Sequence, residues 1–234
     1  MEVGYNLNHI RQFQGIVLGR PGSGKTLVAR WMADRLCEKY GARNVNAVSC
    51  SADLGTLLSG VRGTLVNFLF LDDLTLSDTK KADISRYFRI RHVIEEATGR
   101  KDGIVITLLG LHRFYGCDPS IRTNFDFLLF RSAPTNKFDK NFTEGYLGKT
   151  QIKLLSAMEL DRMKKPALFN TTFAWLKGEG AGFIHTPAPE YNMLYDMTQS
   201  ISNREPTKDE LYRYLLWKQG YVDDPIDESV KYLK

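Results

Sequence analysis

Eight consecutive residues, Gly19-Arg20-Pro21-Gly22-Ser23-Gly24-Lys25-Thr26, carry the spacing G-x-x-x-x-G-K-[ST], which suits a chain of phosphates. The glycines let the loop curl until successive backbone N–H groups face phosphate oxygens. Lys25 supplies a cation for the β- and γ-phosphates, and the Thr26 hydroxyl suits Mg²⁺. A second set of reactive groups closes the apolar run Val66-Asn67-Phe68-Leu69-Phe70-Leu71, where Asp72 and Asp73 stand side by side. Asp72 is suited to hold the metal, directly or through water. Asp73 falls where an attacking water would be activated or oriented.

These groups need rigid elements to hold them. Gly15-Ile16-Val17-Leu18 reads as a short buried strand leading into the loop. Leu27, Val28, Trp31, Met32, Leu36, Cys37 and Tyr40 recur at helical spacing up to a stop at Gly41. Strand, glycine-rich loop and helix is the context the motif requires, and it aims a helix N-terminus at the phosphates. The cradle would run over Gly19, Pro21, Gly22, Ser23, Gly24, Lys25, Thr26 and Leu27. Further strands are read at 44–50, 103–109 and 125–130, a short helix or loop at 52–61, and one helix at 83–98 ending at Gly99. Strands alternating with helices predict a mainly parallel sheet covered on both faces, with the ligand at the carboxyl ends of the strands. Residues 173–187 add two strands around a Gly-rich turn, a late β-hairpin.

The 234 residues suffice for one large α/β domain with its own core. With 43% hydrophobic and 25% charged residues the composition is that of a soluble protein, and no apolar run is long enough to span a bilayer. Cys37, Cys50 and Cys117 lie far apart and in no C-x-x-C pair, which predicts reduced thiols in a cytoplasmic protein and neither a disulfide frame nor a zinc site. The four histidines are scattered as well, so no structural transition metal is expected. The net charge of +5 is compatible with nucleic acid without demanding it. Asn136-Lys137-Phe138-Asp139 matches the guanine-reading pattern N-K-x-D. It stands beyond Pro134 instead of at a strand tip, and Asp72-Asp73-Leu74-Thr75 lacks the glycine that guanine readers carry there, so the match reads as a solvated loop.

The segment from Ile104 to Phe130 carries a finer signal. A strand runs into Gly110-Leu111-His112-Arg113, then Asp118-Pro119-Ser120-Ile121-Arg122-Thr123-Asn124, then the next strand. With Arg100-Lys101-Asp102-Gly103 before it and Phe173 to Pro187 after it, this resembles the FtsK/HerA superfamily of DNA-pumping ATPases, over roughly residues 10–190. His112 stands where that group usually has glutamine, and Asp73 where HerA-like members more often have glutamate. The resemblance implies a RecA-like P-loop NTPase fold, ATP and Mg²⁺, and hydrolysis that moves or packages double-stranded DNA through a homo-oligomeric, hexameric ring. A viral or plasmid packaging role, a capsid or conjugation partner, no membrane, and a cytoplasmic location (the host's, if viral) go with it. It marks Arg122 first and Arg113 second as the arginine that would steady charge on the transferring phosphate, and His112 as a sensor of the γ-phosphate. A second resemblance, to AAA+ initiators and helicase loaders of the DnaA kind, rests on Leu71-Asp72-Asp73-Leu74 and on Asp118 through Asp126. A non-motor NTP switch is the third class. The all-helical lid of AAA+ proteins disagrees with the strand pair at 173–184.

Arg86, Arg89 and Arg91 read as a solvated helix face or a subunit contact. Lys80, Lys81, Arg100, Lys101, Lys137 and Lys140 are candidates for DNA phosphates, since a motor indifferent to sequence should touch the backbone and not the base edges. Residues 1–200 read as the P-loop ATPase domain. Residues 201–234 read as a C-terminal helical extension packed on it, with a capping box at Thr207-Lys208-Asp209-Glu210 and a stop at Gly220.

Overall fold

The structure is a computed structural model, and it describes residues 9–74, 80–114, 118–134, 136–164 and 170–198. Eight described strands form one sheet in the order β7-β6-β5-β1-β4-β3-β2-β8. The strands are β1 (Ile10–Leu18), β2 (Val45–Cys50), β3 (Val66–Leu71), β4 (Gly103–Leu111), β5 (Phe127–Phe130), β6 (Thr171–Leu176), β7 (Gly180–His185) and β8 (Tyr195–Asp196). All neighbours from β5 to β8 run parallel, and β6 and β7 pair antiparallel as the expected hairpin at the β5 margin.

The apolar runs explain the parallel centre. Every residue of β3 is buried, because both faces of the sheet are covered. Successive side chains alternate between two cores. Ile16, Leu18, Leu69, Leu71, Leu109 and Leu111 enter one, with α2 (Leu54–Ser59), α4 (Ile90–Thr98) and the later helix α6 (Lys137–Lys164). Val17, Phe68, Phe70 and Leu108 enter the other, against Val28, Ala29 and Ala33 of α1 (Lys25–Tyr40).

Register fixes what stands at the carboxyl ends. Leu18 of β1 pairs with Leu111 of β4, and Leu71 of β3 pairs with Leu109. Two backbone bonds carry the ladder past the strands, Gly19 N to Leu111 O at 3.0 Å and Leu74 N to Gly110 O at 2.9 Å. The phosphate-type loop, the two aspartates and His112 therefore leave the sheet from three adjacent strand tips, with β4 in the middle.

Three expectations change. The single helix read over 83–98 is two, α3 (Lys81–Phe88) and α4, broken at Arg89 (φ −108°, ψ 24°). The short family-like turn becomes a helix, α5 (Pro119–Thr123), capped by Asp118, whose carboxylate accepts from the Ser120 amide at 2.8 Å. Asn136 to Asp139 is not a solvated loop. It starts α6: the Asp139 amide donates to Asn136 Oδ1 at 2.8 Å, and Asp139 is 2% exposed. The strand β8, two residues long, is too short to leave a sequence pattern. The helix expected after Thr207, Cys117, and the packing of 201–234 lie outside the described residues.

Candidate nucleotide site

Gly24 sets the geometry of the loop. It stands before α1 with φ 90° and ψ 34°, a left-handed backbone that glycine takes without strain, and no side chain caps the helix. The first amides of a 16-residue helix are thus left for an outside acceptor, at the end where the dipole favours an anion. Gly22 is left-handed too (φ 71°), and a Cβ there would meet nothing within 4 Å, so the tip of the loop is open. Beneath the loop the space is closed. A methyl at Gly19 would collide with Ser23 Oγ and lie 2.9 Å from Arg131 Cβ.

Lys25 is 6% exposed, and its ammonium faces three acceptors: Gly19 O at 3.4 Å, His112 Nδ1 at 3.2 Å and Asp73 Oδ1 at 3.0 Å. An ammonium only donates, so a Lys25–His112 hydrogen bond needs Nδ1 as acceptor and the ring proton on Nε2. Nε2 in turn lies 3.0 Å from Asp73 Oδ1. Nδ1 also lies 3.1 Å from Gly19 O, where the opposite tautomer would donate, so the partner the ring serves depends on which nitrogen carries the proton. Thr26 Oγ1 donates to Asp72 Oδ2 at 2.7 Å.

The two aspartates are adjacent in sequence and opposite in behaviour. Burial raises the Asp72 carboxyl above its ordinary value, and the Asp73 charge adds to this against the Thr26 hydrogen bond. Burial pushes Asp73 up as well, but the hydrogen bond and charge of Lys25, with His112 behind them, outweigh it and hold the carboxyl below the ordinary value. Asp73 has φ 53°, a left-handed backbone that Asp and Asn tolerate better than most non-glycine residues. Its side chain is 54% exposed, and Lys25 and His112 both use Oδ1.

Mg²⁺ and a polyphosphate fit these residues. Thr26 and Asp72 offer hard oxygen donors at one point, and a carboxylate raised by burial gains from a cation beside it. Ser23 Oγ is buried with no hydrogen-bond partner among the described residues, in the middle of the loop. Among the described residues no three His, Cys, Asp or Glu gather as a metal cluster. A magnesium ion would therefore draw its remaining ligands from water and phosphate, as it commonly does.

The other sequence candidates take no part in these contacts. The Arg122 guanidinium lies over the Phe138 ring, 5.3 Å from its centroid. Arg113 is exposed. Arg86 pairs with Asp83 at 3.6 Å, and Arg100 with Asp102 at 3.2 Å. Lys80, Lys81, Lys101, Lys137 and Lys140 are exposed. Asp139, buried and tied to Asn136, is not free to read a base.

Three residues that sequence reasoning missed tie the loop down. Ser132 Oγ accepts from the Arg20 amide at 3.0 Å, Glu159 of α6 pairs with the Arg20 guanidinium at 3.2 Å, and Arg131 donates through Nε to Ser23 O at 2.9 Å. The signal was the polar pair closing the run Phe127 to Phe130. It gains meaning only once β5 is known to lie beside β1, with the Arg131 amide bonded to Leu18 O at 2.8 Å.

No protein-family model matches the sequence, and no curated protein matches it. Solved structures do match. The chain is similar to the genome packaging NTPase B204 from Sulfolobus turreted icosahedral virus 2 in complex with ATP-gammaS, with a TM-score of 0.52 and 10% identity over 76% of this chain and 98% of that one. It is similar to the same protein in complex with sulfate (0.51, 12%, 80% and 100%). It is also similar to B204, the DNA-packaging ATPase from Sulfolobus turreted icosahedral virus (0.50, 9%, 78% and 98%). The chain has the fold of a viral genome-packaging NTPase. The fold class read from the sequence, and the resemblance at the level of fold, are borne out. No described helix is long and apolar enough to cross a membrane.

Proposed function

We propose that this chain binds Mg·ATP and hydrolyses it to move double-stranded DNA, as a packaging-type motor in a homo-oligomeric, hexameric ring. The observation that carries the reading is the convergence of Lys25, Thr26, Asp72, Asp73 and His112 at the tips of β1, β3 and β4, joined by contacts of 2.7–3.2 Å. The fold of B204, a DNA-packaging ATPase, supports the substrate and the task.

In this reading the α1 amides and Lys25 hold the β- and γ-phosphates, while Thr26 and Asp72 hold Mg²⁺. When bound there, the ion would supply positive charge to the phosphate oxygens. Asp73 orients the attacking water. A carboxyl held below its ordinary value is a weak proton acceptor at neutral pH, so positioning suits it better than proton abstraction. His112 sits between the loop and Asp73, where a change at the γ-phosphate would be felt by both. Arg122 is assigned to a site completed by a neighbouring subunit, and exposed lysines on loops serve DNA phosphates.

Steady-state ATP hydrolysis with and without long double-stranded DNA, with Lys25→Ala as the blank, tests this. Strong stimulation that vanishes in the blank is expected. Hydrolysis indifferent to DNA would remove the motor and leave a partner-dependent loader or a switch.

A further inference from the structure

Arg131 is among the largest fully buried side chains of the described residues, at 1% exposure. A guanidinium is costly to bury, so its fork has to be met by acceptors. Among the described residues, acceptors come from two separate parts of the chain. Nε donates to Ser23 O in the loop at 2.9 Å. One terminal nitrogen donates to Thr171 O at 2.9 Å and to Thr172 Oγ1 at 3.1 Å, at the start of β6. The other would lie 2.8 Å from a Cβ placed on Gly24, so the loop has room for it only as glycine.

Two consequences follow from the geometry. The Ser23 carbonyl is turned down onto Arg131, which helps to leave the loop's N–H groups for the opposite side. A fixed positive charge also lies directly beneath the loop, in a place screened from water, where it adds to the attraction for an anion above. The hairpin is held by the same side chain. Thr172 Oγ1 is 2.7 Å from Thr186 Oγ1, both threonines are fully buried, and Thr186 N bonds Asn170 O across the open end of the hairpin.

We propose that Arg131 is a positioning residue for the phosphate loop, and that it ties the loop to the base of the β6–β7 hairpin so that nucleotide binding changes the hairpin as well. This rests on reading the loop as a phosphate cradle. A sheet-edge hairpin linked to the loop through a rigid planar group is a contiguous path, and a ligand that favours one loop arrangement biases both ends.

The test uses the full chain and a fluorescent ATP analogue with Mg²⁺. Titration gives Kd, and hydrogen exchange is followed over residues 171–186. Wild type should bind, and exchange in the hairpin should slow at saturation. Arg131→Lys keeps the charge but loses the fork, and should weaken binding about tenfold or more. Thr172→Val removes one of the two β6 contacts of Arg131, keeping the bond to the Thr171 carbonyl, and leaves Ser23 untouched. It should keep Kd within about twofold while weakening the nucleotide-dependent change in hairpin exchange. Normal binding by Lys25→Ala would overturn the cradle reading itself. If Lys25→Ala fails to bind but wild-type hairpin exchange ignores nucleotide, the cradle stands and the tie through Arg131 is overturned. That last comparison needs no Arg131 variant to fold.

Discussion

Asp72 and His112 leave from strand tips and Lys25 and Thr26 open α1 one loop beyond the tip of β1, whereas Arg122 leaves from a five-residue helix and rests on the ring of Phe138. Both regions carry charge suited to phosphate chemistry. They differ in what fixes them. A strand-tip residue inherits its place from sheet register, and Leu18, Leu71 and Leu111 are buried and paired immediately before the reactive groups begin. A residue on a short connecting helix inherits its place from whatever surface the connection meets. The contacts of the first region form within one chain. The contact seen for Arg122 is with the Phe138 ring and not with that cluster.

The sharpest way to break this contrast is at Lys25. Lys25→Ala removes the cation that meets Gly19 O, His112 and Asp73, and should cut ATP hydrolysis by roughly 10²–10³-fold, the scale of losing one preorganised charge-stabilising donor. Retained hydrolysis would mean that the strand-tip cluster is not the reaction centre. Asp73→Asn comes next. Asparagine tolerates the left-handed backbone at φ 53°, so the change is confined to charge. Turnover should fall by about 10²-fold or more while Kd for the nucleotide stays within a few fold. A parallel loss of binding would assign Asp73 to substrate holding instead.

Asp72 allows a test by pH and by metal. Its folded-state value is raised, so its protonated form is favoured in the native protein. The stability this gives is fully present below the unfolded value near 3.8 and is lost as pH rises through the folded value. At neutral pH without magnesium, the ionised group therefore weighs against the fold. Asp72→Asn should raise the melting temperature in EDTA at pH 7, by roughly 2–4 °C for each kcal/mol recovered, and the gain should vanish near pH 3. Adding Mg²⁺ with nucleotide should stabilise wild type more than the variant. Equal stabilisation of the two by Mg²⁺ would remove Asp72 from the metal site.

The same contrast explains what could be read from the chain. The loop and β3 were legible because glycine, lysine and threonine at fixed spacing serve one purpose, and because a strand buried on both faces is an uninterrupted apolar run. The late hairpin was legible from its Gly-rich turn. Helix α6 was not, because Gly145 and Gly148 interrupt it, the latter at φ 69°, and its first residues imitate a base-reading motif while serving as a cap. Arg131 was invisible for a different reason. Its meaning depends on β5 lying beside β1, a fact of strand order that no local pattern carries.

The smallest expected effect is at Arg122, and it is the most discriminating. Within one chain its contact is the Phe138 ring, and a stacked guanidinium at a partly exposed site is worth about 0.5–1 kcal/mol. Arg122→Ala should therefore lower the melting temperature by only about 1–4 °C. Nucleotide affinity should be unchanged, because Lys25 and the α1 amides do not touch it. Phe138→Leu should cost a similar amount, since it removes the ring and leaves the charge. If Arg122 acts on a neighbour's nucleotide, the two variants part company in the assembled state. Arg122→Ala would lose DNA-stimulated hydrolysis, Phe138→Leu would keep most of it, and mixing Arg122→Ala with Lys25→Ala would restore part of the activity, because each supplies what the other lacks. If both variants behave alike in assembly and mixing restores nothing, the stack on Phe138 is all that Arg122 contributes.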